Sequence, residues 1–137
     1  MRNSKPILLV EDDRVDMMTV RRAVKDVNIP NRVVHMLNGE KALEYLRDPD
    51  NKKPCVILLD LNMPKMNGIE FLKVVKADDT LKQIPVIALT TSREKIDITE
   101  SFNSGVAGYV VKPTDYKDFT EAIRKINQYW TSSELPN

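Results

Sequence analysis

The sequence predicts a doubly wound α/β domain: five parallel strands in the order 2-1-3-4-5, with helices on both faces. Three observations carry this expectation. Short apolar runs recur at Ile7 to Val10, Val56 to Leu59, Ile84 to Leu89 and Tyr109 to Val111, and they lack the alternation of a strand with one face in water. Each is followed by a segment with helical apolar spacing. The length of 137 residues fits one domain with one core, large enough to need no disulfide or structural metal. Strand then helix, five times over, implies right-handed crossovers and a sheet covered on both sides. In that strand order the switch point falls between strands one and three, where such sheets bind ligands.

Ile7-Leu8-Leu9-Val10 is the first strand, and it stops at Glu11, Asp12 and Asp13. A helix follows from Arg14 to Val27, with Val20, Ala23, Val24 and Val27 on one face, until Asn28-Ile29-Pro30-Asn31 breaks it. Arg32 to Leu37 reads as a short strand, Asn38-Gly39 as a turn or helix start, and Ala42, Leu43 and Leu46 as the inner face of a short helix. Asp48 to Pro54 is a polar loop. Val56-Ile57-Leu58-Leu59 is the third strand, ending in Asp60 where Asn62 and Pro64 stop the ladder. Lys65 to Gly68 is a turn, and Ile69 to Ala77 a helix burying Ile69, Leu72 and Val75. Ile84 to Leu89 is the fourth strand, ending in Thr90, Thr91 and Ser92. Thr91 and Glu94 have capping-box spacing, so a helix is expected from there toward Asn103, with Ile98 and Phe102 inward and Gly105 closing it. Tyr109-Val110-Val111 is the last strand, ending in Lys112-Pro113. Phe119, Ile123, Ile126 and Trp130 form one stripe of a closing helix.

Twenty-one basic and twenty acidic side chains leave a formal charge of +1, giving no overall attraction to nucleic acid or an anionic membrane. The single Cys55 lies in an apolar run and reads as a buried thiol in a reducing compartment. Residues 1 to 5 precede an apolar run too short for a signal peptide or a membrane span, so a cytoplasmic protein is expected.

The carboxyl ends of the strands bring together Glu11, Asp12, Asp60, Thr90 and Lys112. Taken singly, an acid or lysine at a strand end is a solvated loop residue and a threonine is a cap. Together they suit one phosphoryl site. Three carboxylates in one crevice raise one another's pKa unless a cation offsets them. All-oxygen donors favour Mg²⁺, which takes one or two carboxylates and completes its shell with water and phosphate oxygens. Asp60 is then a candidate nucleophile toward phosphorus, with Lys112 and the Thr90 hydroxyl stabilising the transferring oxygens.

These residues resemble the receiver domains of two-component response regulators, with a flavodoxin-like (βα)5 fold. Val-Glu-Asp-Asp, Leu-Leu-Asp-Leu-Asn-Met-Pro, Ala-Leu-Thr-Thr-Ser and Gly-Tyr-Val-Val-Lys-Pro occur in family order, and the match runs from residue 6 to about 130. The resemblance implies that Asp60 accepts a phosphoryl group from a sensor kinase's phosphohistidine. It places Mg²⁺ on Glu11, Asp12, Asp60 and the Asn62 backbone carbonyl, with Thr90 and Lys112 holding the phosphoryl group. It makes Lys112-Pro113 a cis bond. Asp13 falls one position past the acidic pair and belongs to the helix start. Tyr109 matches the switch aromatic, which fills the space Thr90 leaves when it moves to the phosphoryl group, so that the surface of the fourth helix, fifth strand and fifth helix changes. Its other reading is a strand residue with a polar tip.

Thr91 stands where many receivers have Ala or Gly and is expected to narrow access. Asn62 and Ser92 occupy positions that tune dephosphorylation in the family. His35, on the second strand away from these ends, reads as structural or exposed. Thr131 to Asn137 are too few for an output domain, so the expectation is one domain over 1–137 whose output is a protein contact. Within the family the chain looks like the stand-alone receivers paired with phytochrome-type sensor kinases. Tyr129 and Trp130 either pack a dimer, as similar receivers do, or cap the core; the dimer is the expectation here.

Two rivals use the same residues differently. An aspartate-nucleophile phosphatase of the haloacid dehalogenase type needs a second acid two residues after the nucleophile, and that position is Asn62. A receiver that serves as a scaffold without phosphorylation lacks part of the set, whereas this chain has Asp60, Lys112 and the acidic pair.

Overall fold

The computed structural model describes residues 5–63 and 66–132, without the side chains of 130–132. Strands β1 (Ile7–Val10), β2 (Val33–Met36), β3 (Val56–Leu59), β4 (Val86–Thr90) and β5 (Gly108–Val111) alternate with helices α1 (Arg14–Asp26), α2 (Gly39–Arg47), α3 (Gly68–Ala77), α4 (Lys95–Asn103) and α5 (Tyr116–Ser132). The sheet is wholly parallel in the expected order β2-β1-β3-β4-β5. No helix among the described residues is long and apolar enough to cross a membrane.

Strand alternation divides the core into two halves. Leu8, Val10, Ile57, Leu59, Val86 and Ala88 face α2 and α3, against Leu43, Leu46, Phe71, Leu72 and Val75. Ile7, Leu9, Val56, Leu58, Ile87 and Leu89 face α1 and α5, against Val20, Ala23, Val24, Phe119, Ile123 and Ile126. The three central strands are buried throughout, while the edge strands β2 and β5 are half-buried because each has a neighbour on one side only. Cys55 is buried, and burial pushes its thiol up to about 11, so it is protonated and inert at neutral pH.

Several local expectations change. In α3 the inward aromatic is Phe71, fully buried, and Ile69 is only half-buried. Its start is held by a capping box between Asn67 and Glu70, whose spacing was readable. The Thr91–Glu94 box does not form. Glu94 is the N-cap of α4 without a side-chain bond, and the Ser92 hydroxyl instead accepts from Glu94 N at 3.2 Å and donates to Asp97 at 2.6 Å. Ser101 is the one buried residue of α4; Phe102 is half exposed and Ile96 more so. Ile98 is half-buried, so α4 has no deep apolar stripe. Gly105 does end that segment, at φ +106°. Pro64, Lys65, the Trp130 side chain and the tail beyond Ser132 lie outside the described residues.

One glycine sets the path of the loop after β3. The Gly68 N–H donates to the Leu61 carbonyl at 3.0 Å, and a Cβ on Gly68 would lie 2.6 Å from Leu61 Cα and 2.7 Å from the Asp60 carbonyl oxygen. Both obstacles are backbone, so α3 and the Asp60 segment cannot both keep their places with a side chain there. Gly68→Ala is therefore expected to lower stability by about 1–3 kcal/mol, the usual range for overpacking, read as a drop in the denaturant midpoint at unchanged m-value.

Candidate functional site

Strands β1 and β3 are neighbours in register Val10↔Leu59, so Glu11 and Asp60 leave the sheet side by side. The Asp60 N–H donates to the Val10 carbonyl at 3.0 Å, carrying the pairing one residue past the ladder. One carboxylate oxygen each from Glu11, Asp12 and Asp60 lie within 4.8 Å of one another. Glu11 and Asp60 are buried and Asp12 is exposed, so the trio forms a crevice open on one side. Glu11 is bonded at four points. Its Oε1 accepts from Lys112 Nζ at 2.6 Å, its Oε2 from Asp13 N at 3.2 Å, its N–H donates to the Met36 carbonyl at 3.1 Å, and its carbonyl lies 2.6 Å from His35 Nε2. The Asp60 Oδ1 accepts from Asn62 N at 3.3 Å.

The other predicted residues converge from β4 and β5. Thr90 ends β4 fully buried, its hydroxyl 3.5 Å from Ser92 N, and its carbonyl accepts from Lys112 N at 2.8 Å. Lys112 extends beyond β5 and reaches back to β1, where its ammonium contacts Glu11 and, at 3.0 Å, Asp16 Oδ2. The Tyr109 hydroxyl donates to the Ser92 carbonyl at 3.0 Å, fastening β5 to the loop after Thr90. Thr91 and the Asn62 side chain are exposed.

Burial dominates the electrostatics. It lifts the Glu11 carboxyl from its ordinary 4.5 to about 7; the Lys112 ammonium opposes this and the Asp60 charge adds to it. For Lys112, burial pulls toward the neutral amine, but the bonds to Glu11 and Asp16 prevail and raise its pKa above the ordinary lysine value. The crevice thus holds more negative charge than one ammonium settles. Its donors are all hard oxygens, two on buried acids and one on an open-faced acid, which suits a divalent cation that keeps part of its water.

The structure corrects two readings and adds a residue. The Lys112–Pro113 bond is trans, and no cis peptide occurs among the described residues. Lys112 already reaches Glu11 with its own N–H paired to Thr90, so the ordinary isomer, favoured by about 0.5–1 kcal/mol, places the side chain. His35 is not remote from the site, because it touches the Glu11 carbonyl across the β1–β2 edge. Asp16 was missed altogether. It lies in the first turn of α1, where its N–H donates to the N-cap Asp13 at 3.0 Å. Its spacing from Asp13 was the available signal. Asp13 itself is the expected helix cap and no member of the acidic trio.

A doubly wound sheet with an acidic, lysine-bridged crevice at its switch point defines an α/β protein with its candidate site at the carboxyl ends of the strands. The chain belongs to the response regulator receiver domain family, whose model matches residues 7–124. It is therefore a receiver of two-component signalling, in which such domains partner histidine kinases. It is 35% identical over 127 residues to the probable methanogenesis regulatory protein FilR2 of Methanothrix harundinacea, covering 90% of this chain and 82% of that one. It resembles the phosphorylated cyanobacterial phytochrome response regulator RcpA, with a TM-score of 0.90 at 35% identity over 98% of this chain and 99% of the other. It also resembles the Mn²⁺-bound form of response regulator Rcp1, with a TM-score of 0.87 at 34% identity over 97% and 99%.

The Glu11 shift fixes a pH dependence. The folded chain holds a proton on Glu11 up to about pH 7 and the unfolded chain only to 4.5, so folding binds protons in between. The stabilising contribution is complete below 4.5 and is lost as pH rises through 7. Metal-free protein is expected to lose thermal stability from pH 5 to pH 8, and Glu11→Gln to flatten that slope, as checked by calorimetry in EDTA across the range.

Proposed function

We propose that Asp60 is the phosphoacceptor of a phosphorylation-driven switch. The observation that carries it is the convergence on Asp60 of two further carboxylates within 4.8 Å and of a crevice spanned by Lys112. An Asp60 carboxylate oxygen forms a P–O bond as the P–N bond of a kinase phosphohistidine breaks. The departing imidazole nitrogen keeps the electron pair and takes a proton from water. Glu11, Asp12, Asp60 and the Asn62 carbonyl hold Mg²⁺, which when bound offsets charge on the transferring oxygens. The Mn²⁺-bound relative supports a divalent ion at such a site. Lys112 supplies a fixed positive charge and Thr90 a hydroxyl donor to the same oxygens.

Turning of Thr90 toward the phosphoryl group and inward movement of Tyr109 transmit the event. The loop between them is the one Tyr109 grips through the Ser92 carbonyl, and α4 beside it is shallowly packed, which supports α4, β5 and α5 as the movable face. A groove on that face, lined by Tyr109, Pro113, Ala122 and Tyr129, receives the downstream protein or a second copy of this chain. The likeness to RcpA supports a phytochrome-type sensor kinase in the cytoplasm as donor.

Intact mass after incubation with Mg²⁺ and an acyl phosphate or phosphoramidate tests this reading. Wild type is expected to gain one phosphoryl group, while Asp60→Asn and an EDTA-treated sample gain none. Absence of addition to wild type rejects the phosphoacceptor, and multiple turnover of the donor without accumulation favours the phosphatase instead.

A further inference from the structure

Asp16 is an acidic side chain in contact with Lys112 that neither the motifs nor the metal trio account for. It belongs to α1, whereas Glu11 and Lys112 come from the ends of β1 and β5, yet its Oδ2 lies 3.0 Å from the Lys112 ammonium. Lys112 is thereby shared between two carboxylates of different character. The Glu11 side chain is 1% exposed and serves the cation crevice, whereas that of Asp16 is 42% exposed and faces solvent. Asp16 is also held ready, since Asp13 caps α1 by accepting from the Asp16 N–H and so fixes the first turn.

A cation on Glu11 competes with Lys112 for one carboxylate, and it brings two positive charges into a poorly hydrated space where their repulsion is large. Lys112 cannot simply withdraw, because its own side chain is 9% exposed and a buried ammonium without an anion is costly. Resting on the preceding reading of the crevice as a divalent-metal site, we propose that Asp16 is a positioning residue that takes over the Lys112 ammonium when a divalent cation claims Glu11. Asp16 thus lowers the cost of metal entry and keeps Lys112 charged and close to Asp60. It acts through Lys112, and touches neither metal nor phosphoryl group.

Field and contact effects separate in a double-mutant cycle. Mg²⁺ affinity is measured by isothermal titration calorimetry at fixed ionic strength on wild type, Asp16→Asn, Lys112→Met and the double variant, with Lys112→Ala as a second neutral background should Lys112→Met be unstable. Asp16→Asn is expected to weaken Mg²⁺ binding about 3- to 10-fold, the size of coupling typical of contacting charges. With Lys112 absent, the same substitution is expected to change affinity less than about 1.5-fold, within the error of additivity. Asp16→Glu, which keeps the charge, is expected to recover most of the loss. Equal losses in both backgrounds would mean that Asp16 acts only as a distant negative charge and would overturn the proposal. Wild type that binds no Mg²⁺ would reject the metal-site reading itself, an outcome distinct from a wild type that binds but shows no coupling.

Discussion

The ion pair between Lys112 and Glu11 closes the working end of the molecule. Its partners are 101 residues apart in sequence and their atoms 2.6 Å apart in space. β3 and β4 lie between the strands that supply them, so the pair spans the ends of the strands that carry Asp60 and Thr90. Such a contact requires every strand to be parallel and in order, since a slip of one residue would turn Glu11 or Lys112 to the opposite face. A buried pair of this kind adds little net stability over apolar packing, but removing one partner strands the other charge. The core therefore supplies the stability, and the pair fixes the chemistry of the crevice.

That division of labour runs through the fold. β1, β3 and β4, buried on both faces, form a rigid floor, and all three end directly in site residues: Glu11, Asp60 and Thr90. Gly68 lets α3 begin against the backbone of Leu61, so the Asp60 segment is backed by a helix start. The opposite side is looser. α4 buries Ser101 alone, and its attachment to the sheet runs through polar links: Ser92 to Asp97 and to Tyr109. Hydrogen bonds exchange partners more readily than an apolar core repacks, so a small change at Thr90 has somewhere to go.

The crevice is also short of positive charge in this form. Burial lifts the Glu11 carboxyl to about 7 even with an ammonium beside it. Asp16, at the solvent edge, and Asp12, open to solvent, grade the field from the interior outward.

The sequence alone determined the strand order, the two-sided core and the placing of Glu11, Asp12, Asp60, Thr90 and Lys112 at one sheet edge. Apolar runs without alternation can be satisfied only inside a parallel α/β sheet, whose carboxyl ends then lie together. It determined less where side chains choose among near neighbours. Thr91 and Glu94 have the spacing of a capping box, yet the Ser92 hydroxyl takes the Glu94 N–H instead and also donates to Asp97, leaving Glu94 as a cap without a side-chain bond. Ile69 has helical phase, but Phe71 fills the space facing the sheet. The sharing of Lys112 between Glu11 and Asp16, the contact of His35 with the Glu11 carbonyl and the trans Lys112–Pro113 bond were decided only by the tertiary structure. Periodicity reports which face a residue occupies, whereas the partner of a long or polar side chain depends on distances between elements that no single segment encodes.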